Sequence, residues 1–126
     1  LASALKVDDM LLFHDRFVPT DEISIWFSAC DWVVQPYISA TQSGITPIAI
    51  YYAKPTIVTD VGGLAESVNS KTGVVTKPNP TALSQSISNA LENTESFSDK
   101  EAFIKLKEEK SWNRFCQLFS STFIKK

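Results

Sequence analysis

Residues 32–66, WVVQPYISATQSGITPIAIYYAKPTIVTDVGGLAE, decide the fold. Trp32, Val33 and Val34 form a continuous apolar run, and Pro55-Thr56-Ile57-Val58-Thr59 is β-branched almost throughout. Such runs suit strands buried on both faces. Between them Ile45, Ile48, Ala49, Tyr52 and Ala53 recur at helical spacing, so the unit reads as a βαβ crossover with parallel strands and a right-handed connection. The Tyr37 to Ser43 loop then leaves a strand's carboxyl end. In open α/β sheets ligands bind there.

The start of the intervening helix carries the chemical argument. Ser43 suits an N-cap, with Gly44, Ile45, Thr46 and Pro47 as the first turn. Pro47 costs little there, because first-turn N–H groups have no intrahelical partner. The N–H groups of Gly44, Ile45 and Thr46 point outward with the positive end of the helix dipole behind them, which suits a phosphate. Gly44 permits close approach to the backbone, and the hydroxyls of Thr41, Ser43 and Thr46 with the Gln42 amide add neutral hydrogen bonds. An ordinary capped helix behind a polar loop fits the same residue types. Downstream, Thr59-Asp60-Val61-Gly62-Gly63-Leu64-Ala65-Glu66 forms a turn whose glycines allow positive φ or close approach to a ligand, with Glu66 on a short helix. Both loops leave strands on one edge and are expected to face one cleft.

Composition bounds the rest. The chain has 126 residues, one domain's worth, with 44% hydrophobic and 21% charged residues, an ordinary globular balance. No apolar run is long enough to cross a bilayer and no secretory signal opens the chain, so the expected location is the cytoplasm. A net charge of −2 argues against nucleic-acid binding. Cys30 and Cys116 lie far apart without metal-type spacing and read as buried free thiols. There is no Ser-His-Asp set, metal-ligand cluster, Walker loop or dinucleotide GxGxxG, so neither a metal nor a bound cofactor is expected. The basic pair Lys125-Lys126 reads as a solvated tail.

From the amino end, Leu1, Ala2, Ala4 and Leu5 resemble the last turn of a helix. Met10 to Phe13 read as a strand and His14 to Pro19 as the loop leaving it. Thr20 is expected to cap a helix with Ile23, Trp26, Phe27 and Cys30 on its buried face. His14, the sole histidine, reads as structural. Gly73-Val74-Val75 forms a short strand ended by Pro78-Asn79-Pro80. Asn79 or Thr81 then caps a helix with Leu83, Ile87, Ala90 and Leu91 on one face. Ser98 with Glu101 matches a capping box opening a helix with apolar Ala102, Phe103 and Leu106. Ser111 restarts the pattern with Trp112, Phe115 and Phe119, and Trp112 is expected in the core or at a domain interface.

The order of FHDRFVPTDEISIWFSACDWVVQPY, ATQSG, KPTIVTDVGGLAESV, TGVVTKPNPTALSQSI and SWNRFCQLF resembles the nucleotide-sugar-binding C-terminal domain of glycosyltransferase family 4, the glycosyl transferases group 1. The matching landmarks are Pro36, Pro55, Gly62-Gly63, Glu66 and Thr72-Gly73. The resemblance implies a Rossmann-like three-layer α/β/α domain with a parallel sheet, the C-terminal half of a GT-B fold. On this reading residues 1–126 are one truncated donor-binding domain. The first strands, the family's phosphate-binding Arg and Lys, and an N-terminal acceptor domain lie outside the chain.

It further implies that the backbone of the loop holding Arg16, Phe17 and Val18 meets the nucleotide base. The expected donor-binding set is therefore Arg16, Phe17, Val18, Tyr37, Thr41, Gln42, Ser43, Gly44, Ile45, Thr46, Gly62, Gly63 and Glu66. The implied partners are a nucleotide-diphosphate sugar and a glycan or lipid-linked acceptor, with peripheral membrane association of the longer protein. Transfer is expected to be of hexosyltransferase type with retention, and this chain alone is expected to be inactive. One departure stands out. The family carries two Glu residues across the donor loop and helix, and those places fall at Ala40 and Ile48, as in an ATQSG variant of some bacterial members. The alternative expectation is a non-catalytic donor-like module acting through a partner subunit.

Overall fold

Three strands, β1 (Val33–Gln35), β2 (Thr56–Thr59) and β3 (Gly73–Thr76), form one parallel sheet in the order β1-β2-β3. The computed structural model describes residues 2–97 and 99–123. Val34 pairs with Ile57, which pairs with Val74, and Gln35 with Val58, which pairs with Val75. Successive strand residues face opposite sides, and both faces of β2 are covered: Ile57 is 1% and Val58 0% exposed. Burying each such side chain stabilises the fold by roughly 1.5–3 kcal/mol.

The helices supply the outer layers. On one face α3 (Ile45–Tyr51) buries Thr46, Ala49 and Ile50, and the Gln35 side chain reaches it from β1. Next to α3 lies α5 (Lys100–Glu109), which buries Phe103 and Leu106. On the other face α4 (Pro80–Glu92) packs on β2 and β3, with Ala90 buried and Val74 beside it. This is the expected three-layer α/β arrangement, with the 32–36 and 56–59 strands adjacent and parallel.

Capping follows local chemistry with corrections. The Asn79 Oδ1 accepts from the Ala82 N–H at 2.9 Å and starts α4. Ser98 lies outside the described residues, and Asp99 is the α5 cap, its Oδ1 accepting from Glu101 and Ala102 N–H at 3.1 and 3.2 Å. A carboxylate one residue before the helix competes well for those donors. Thr20 is inside α2 (Thr20–Ala29), with Pro19 at the cap position and no side-chain cap bond. Ser111 Oγ accepts from Arg114 N–H at 3.2 Å and opens α6 (Trp112–Phe123).

The amino-terminal part departs most from expectation. After α1 (Ala2–Leu5) a 3-10 turn covers Asp8–Met10, and 11–15 carry no regular structure. Leu11 has extended dihedrals, but a strand exists only with a ladder partner, and β1 is an edge with none on that side among the described residues. Met10, Leu12 and Phe13 are consequently exposed. For the same reason α2 buries none of its residues fully; Ile23, Phe27 and Cys30 are half-buried and Trp26 is exposed. Cys116 is exposed, and Trp112 is 75% exposed rather than in the core. Leu1 and the Lys125-Lys126 tail lie outside the described residues. No helix among the described residues is long and apolar enough to cross a membrane.

Candidate functional site

The carboxyl ends of β1 and β2 are tied together by one buried hydroxyl. Thr59 Oγ1 donates to the Tyr37 carbonyl at 2.6 Å and lies 3.3 Å from that of Gln35, so the last residue of β2 holds the start of the loop leaving β1. A second tie follows, because Gly63 N–H donates to the Thr41 carbonyl at 2.8 Å. The two loops therefore form one rim.

Gly62 shows why glycine is needed there. Its φ is +53°, and a Cβ would lie 1.9 Å from the Ala40 carbonyl oxygen. The close approach is to the neighbouring loop, so the glycine turn serves the assembly of the rim. Gly63 has a similar but looser fit, 3.2 Å from the Thr41 carbonyl oxygen. Gly44 is the opposite case: a Cβ there meets nothing within 4 Å. Open space adjoins its Cα.

At the helix start, Ser43 Oγ accepts from Ile45 N–H at 3.2 Å, while Gly44 occupies the cap position with helical dihedrals. This leaves the Ser43 hydroxyl proton free to donate outward. Thr46 departs from the expected donor set. Its side chain is 1% exposed, with Oγ1 lying 3.0 Å from Nε2 and 3.2 Å from Oε1 of Gln35. That hydroxyl locks β1 to α3 and cannot reach a ligand in the loop. The helix has seven residues, so its dipole is correspondingly modest.

The remaining expected residues divide. Gln42, Gly63 and Glu66 line one cavity of about 510 Å³, with Pro47, Ile50 and Tyr51 of α3, Lys107 of α5 and Lys110 at the C-cap of α5 opposite. Glu66 sits on a 3-10 turn, Ala65–Ser67, anchored by buried Leu64. Tyr37 lies in a separate apolar cleft of about 260 Å³ with Ile38, Pro78 and Leu83. Arg16, Phe17 and Val18 form their own loop: Arg16 Nη2 donates to Glu22 Oε2 at 2.6 Å, Nη1 to the Phe17 carbonyl at 3.3 Å, and Phe17 is exposed. The Arg16 guanidinium holds the Glu22 carboxyl below the ordinary glutamate range. No hydrogen bond, ion pair or ring contact among the described residues joins this loop to the Tyr37–Ser43 loop.

Lys107 and Lys110 were not legible as site residues. Only a Lys-x-x-Lys spacing on a charged helix marked them, and the Lys110 Nζ contact with the Glu66 carbonyl, 3.5 Å across 44 residues, is purely tertiary. Among the described residues no three His, Cys, Asp or Glu gather as metal ligands.

A family model described as glycosyl transferases group 1 matches residues 1–93, which include both loops of the rim. No curated protein matches the chain. A solved structure similar to it is sucrose-phosphate synthase from Thermosynechococcus elongatus, at 20% identity and a TM-score of 0.80. The match covers 98% of this chain and 33% of that one. At that identity the likeness shows the fold, an α/β Rossmann-like unit of GT-B type, and the chain spans a third of the neighbour's length.

Proposed function

Because the chain belongs to the glycosyl transferases group 1 family, we propose that it is the donor-binding part of an enzyme that moves a hexose from a nucleotide-diphosphate sugar to a glycan or lipid-linked acceptor, with retention. The observation that carries this reading is the rim itself, two loops fused at the carboxyl ends of adjacent parallel strands with open space at Gly44. Parallel α/β sheets bind ligands at that edge. The diphosphate lies against the N–H of Gly44 and the hydroxyl of Ser43, with the Gln42 amide beside it; Glu66 accepts from sugar hydroxyls. These groups position the donor and stabilise the leaving diphosphate electrostatically, chemistry that does not call for a metal ion. The acceptor is held by a domain outside this chain, in a protein working in the cytoplasm at a membrane face.

Nucleoside diphosphates should shift the amide resonances of Gly44, Ile45 and Thr46 in solution NMR, together with Arg16 to Val18. Binding should be weak: each charged hydrogen bond contributes about 1.5–3 kcal/mol, and the rim offers neutral donors. In the full-length enzyme Gly44→Val should abolish transfer while leaving the fold intact, since a Cβ there meets nothing within 4 Å. Shifts confined to the opposite edge of the sheet, or full activity of Gly44→Val, would sink the proposal. Ala40 and Ile48, where the resembled family carries its Glu pair, favour one second reading: a donor-like module that acts through a partner subunit. Transfer by the full-length protein without any partner would eliminate it.

A further inference from the structure

The cavity between α3 and the end of α5 holds two cations that the donor reading does not use. Lys107 and Lys110, one helical turn apart, both line it. The Lys107 ammonium sits 3.8 Å from the centre of the Tyr51 ring, and the Lys110 ammonium contacts the Glu66 carbonyl at 3.5 Å. Neither has a carboxylate partner among the described residues, whose ion pairs are Arg16–Glu22 and Lys71–Asp99. The carbonyl end of α5 favours cations in its last turn, which accounts for lysines there but not for a cavity beside them. That cavity has an apolar wall, Pro47, Ile50 and Tyr51, and a single carboxylate, Glu66.

We propose that this cavity binds a phosphate ester carried on an apolar body, with the phosphate between Lys107 and Lys110 and the body against Pro47, Ile50 and Tyr51. A monoester carries about −1.5 to −2 charges near neutral pH, which two unpaired ammonium groups can match and a carboxylate cannot. Lysine suits this task as a mobile point charge on a flexible stem. The apolar wall has no use for free inorganic phosphate. The inference stands on the cavity and its cations; because the cavity shares Gln42, Gly63 and Glu66 with the proposed donor site, the ester and a sugar donor would compete for it. The ester's source is either a soluble metabolite or a lipid.

Titration of the isotopically labelled chain with hexyl phosphate, inorganic phosphate, and vesicles of phosphatidylglycerol or phosphatidylcholine separates these cases. Hexyl phosphate should shift the amides of Gly63, Ser67 and Ser111, and inorganic phosphate should bind there at least about tenfold more weakly, the hexyl chain adding apolar contact. Lys107→Gln with Lys110→Gln should lower hexyl phosphate affinity about tenfold or more while leaving the other resonances in place, both side chains being exposed. Response to both hexyl phosphate and phosphatidylglycerol supports the site with a lipid as its source; response to hexyl phosphate alone supports a soluble one. Unchanged affinity in the double variant, equal binding of inorganic phosphate, or response to vesicles alone would overturn the proposal.

Discussion

Gly62 and Gly44 sit in neighbouring loops and are constrained in opposite ways. An alanine at Gly62 must take a left-handed φ, which costs about 1–2 kcal/mol by itself, and must displace the Ala40 carbonyl 1.9 Å away. Gly62→Ala should therefore destabilise by more than about 2 kcal/mol in urea unfolding, against less than about 1 kcal/mol for Gly44→Ala, whose φ of −68° is ordinary. Equal losses would contradict the rim described above. Thr46 gives a second contrast. Removing its hydroxyl by Thr46→Val leaves the buried Gln35 amide short of a partner, at a cost of about 1–3 kcal/mol, yet nucleotide-induced shifts at Gly44 should persist. Loss of those shifts with stability unchanged would return Thr46 to the binding set.

At the scale of elements, the cap of α5 is a titratable device. The Lys71 ammonium, 3.0 Å away, and then the Ala102 N–H hold the Asp99 carboxyl below its ordinary range. A depressed folded-state value means that the contribution to stability is complete above the ordinary aspartate range, near 3.9, and is lost as pH falls through the lowered value. Asn also caps helices but does not titrate. Between pH 6 and pH 2.5 the unaltered chain should lose more stability than Asp99→Asn, measured by thermal unfolding at each pH. Identical losses would remove Asp99 from the account. The element matters to function because α5 and its C-cap residue bring Lys107 and Lys110 to the cavity.

At the scale of the whole molecule, a sheet edge and several large apolar side chains are exposed. β1 is a free edge among the described residues, and Phe13, Phe17, Trp112, Phe115 and Phe119 are all exposed. Unpaired edges and apolar faces of this kind recruit other chains. The chain should associate as its concentration rises in light scattering, and Val34→Lys, a charge on the edge strand, should shift it towards monomer. A clean monomer of the unaltered chain at high concentration would contradict this.

The βαβ unit was readable from residues 32–59 because hydrophobic period and β-branching are local properties, and the parallel pairing followed from the handed crossover. Asn79 as a cap and the short strand before it were likewise local. Met10 to Phe13 misled for a physical reason: their pattern is that of a strand, but strand formation is decided by a partner that sequence pattern cannot supply. The site divides the same way. Residue types marked the Ser43 loop and the glycine turn, and the order of motifs marked the family. Only the tertiary structure could show that Thr46 faces Gln35 and not a ligand, that Gly62 makes room for Ala40, and that Lys107 and Lys110 stand opposite Glu66. Each of these depends on which distant backbone arrives beside a residue, and that is settled by packing of the layers rather than by any local preference.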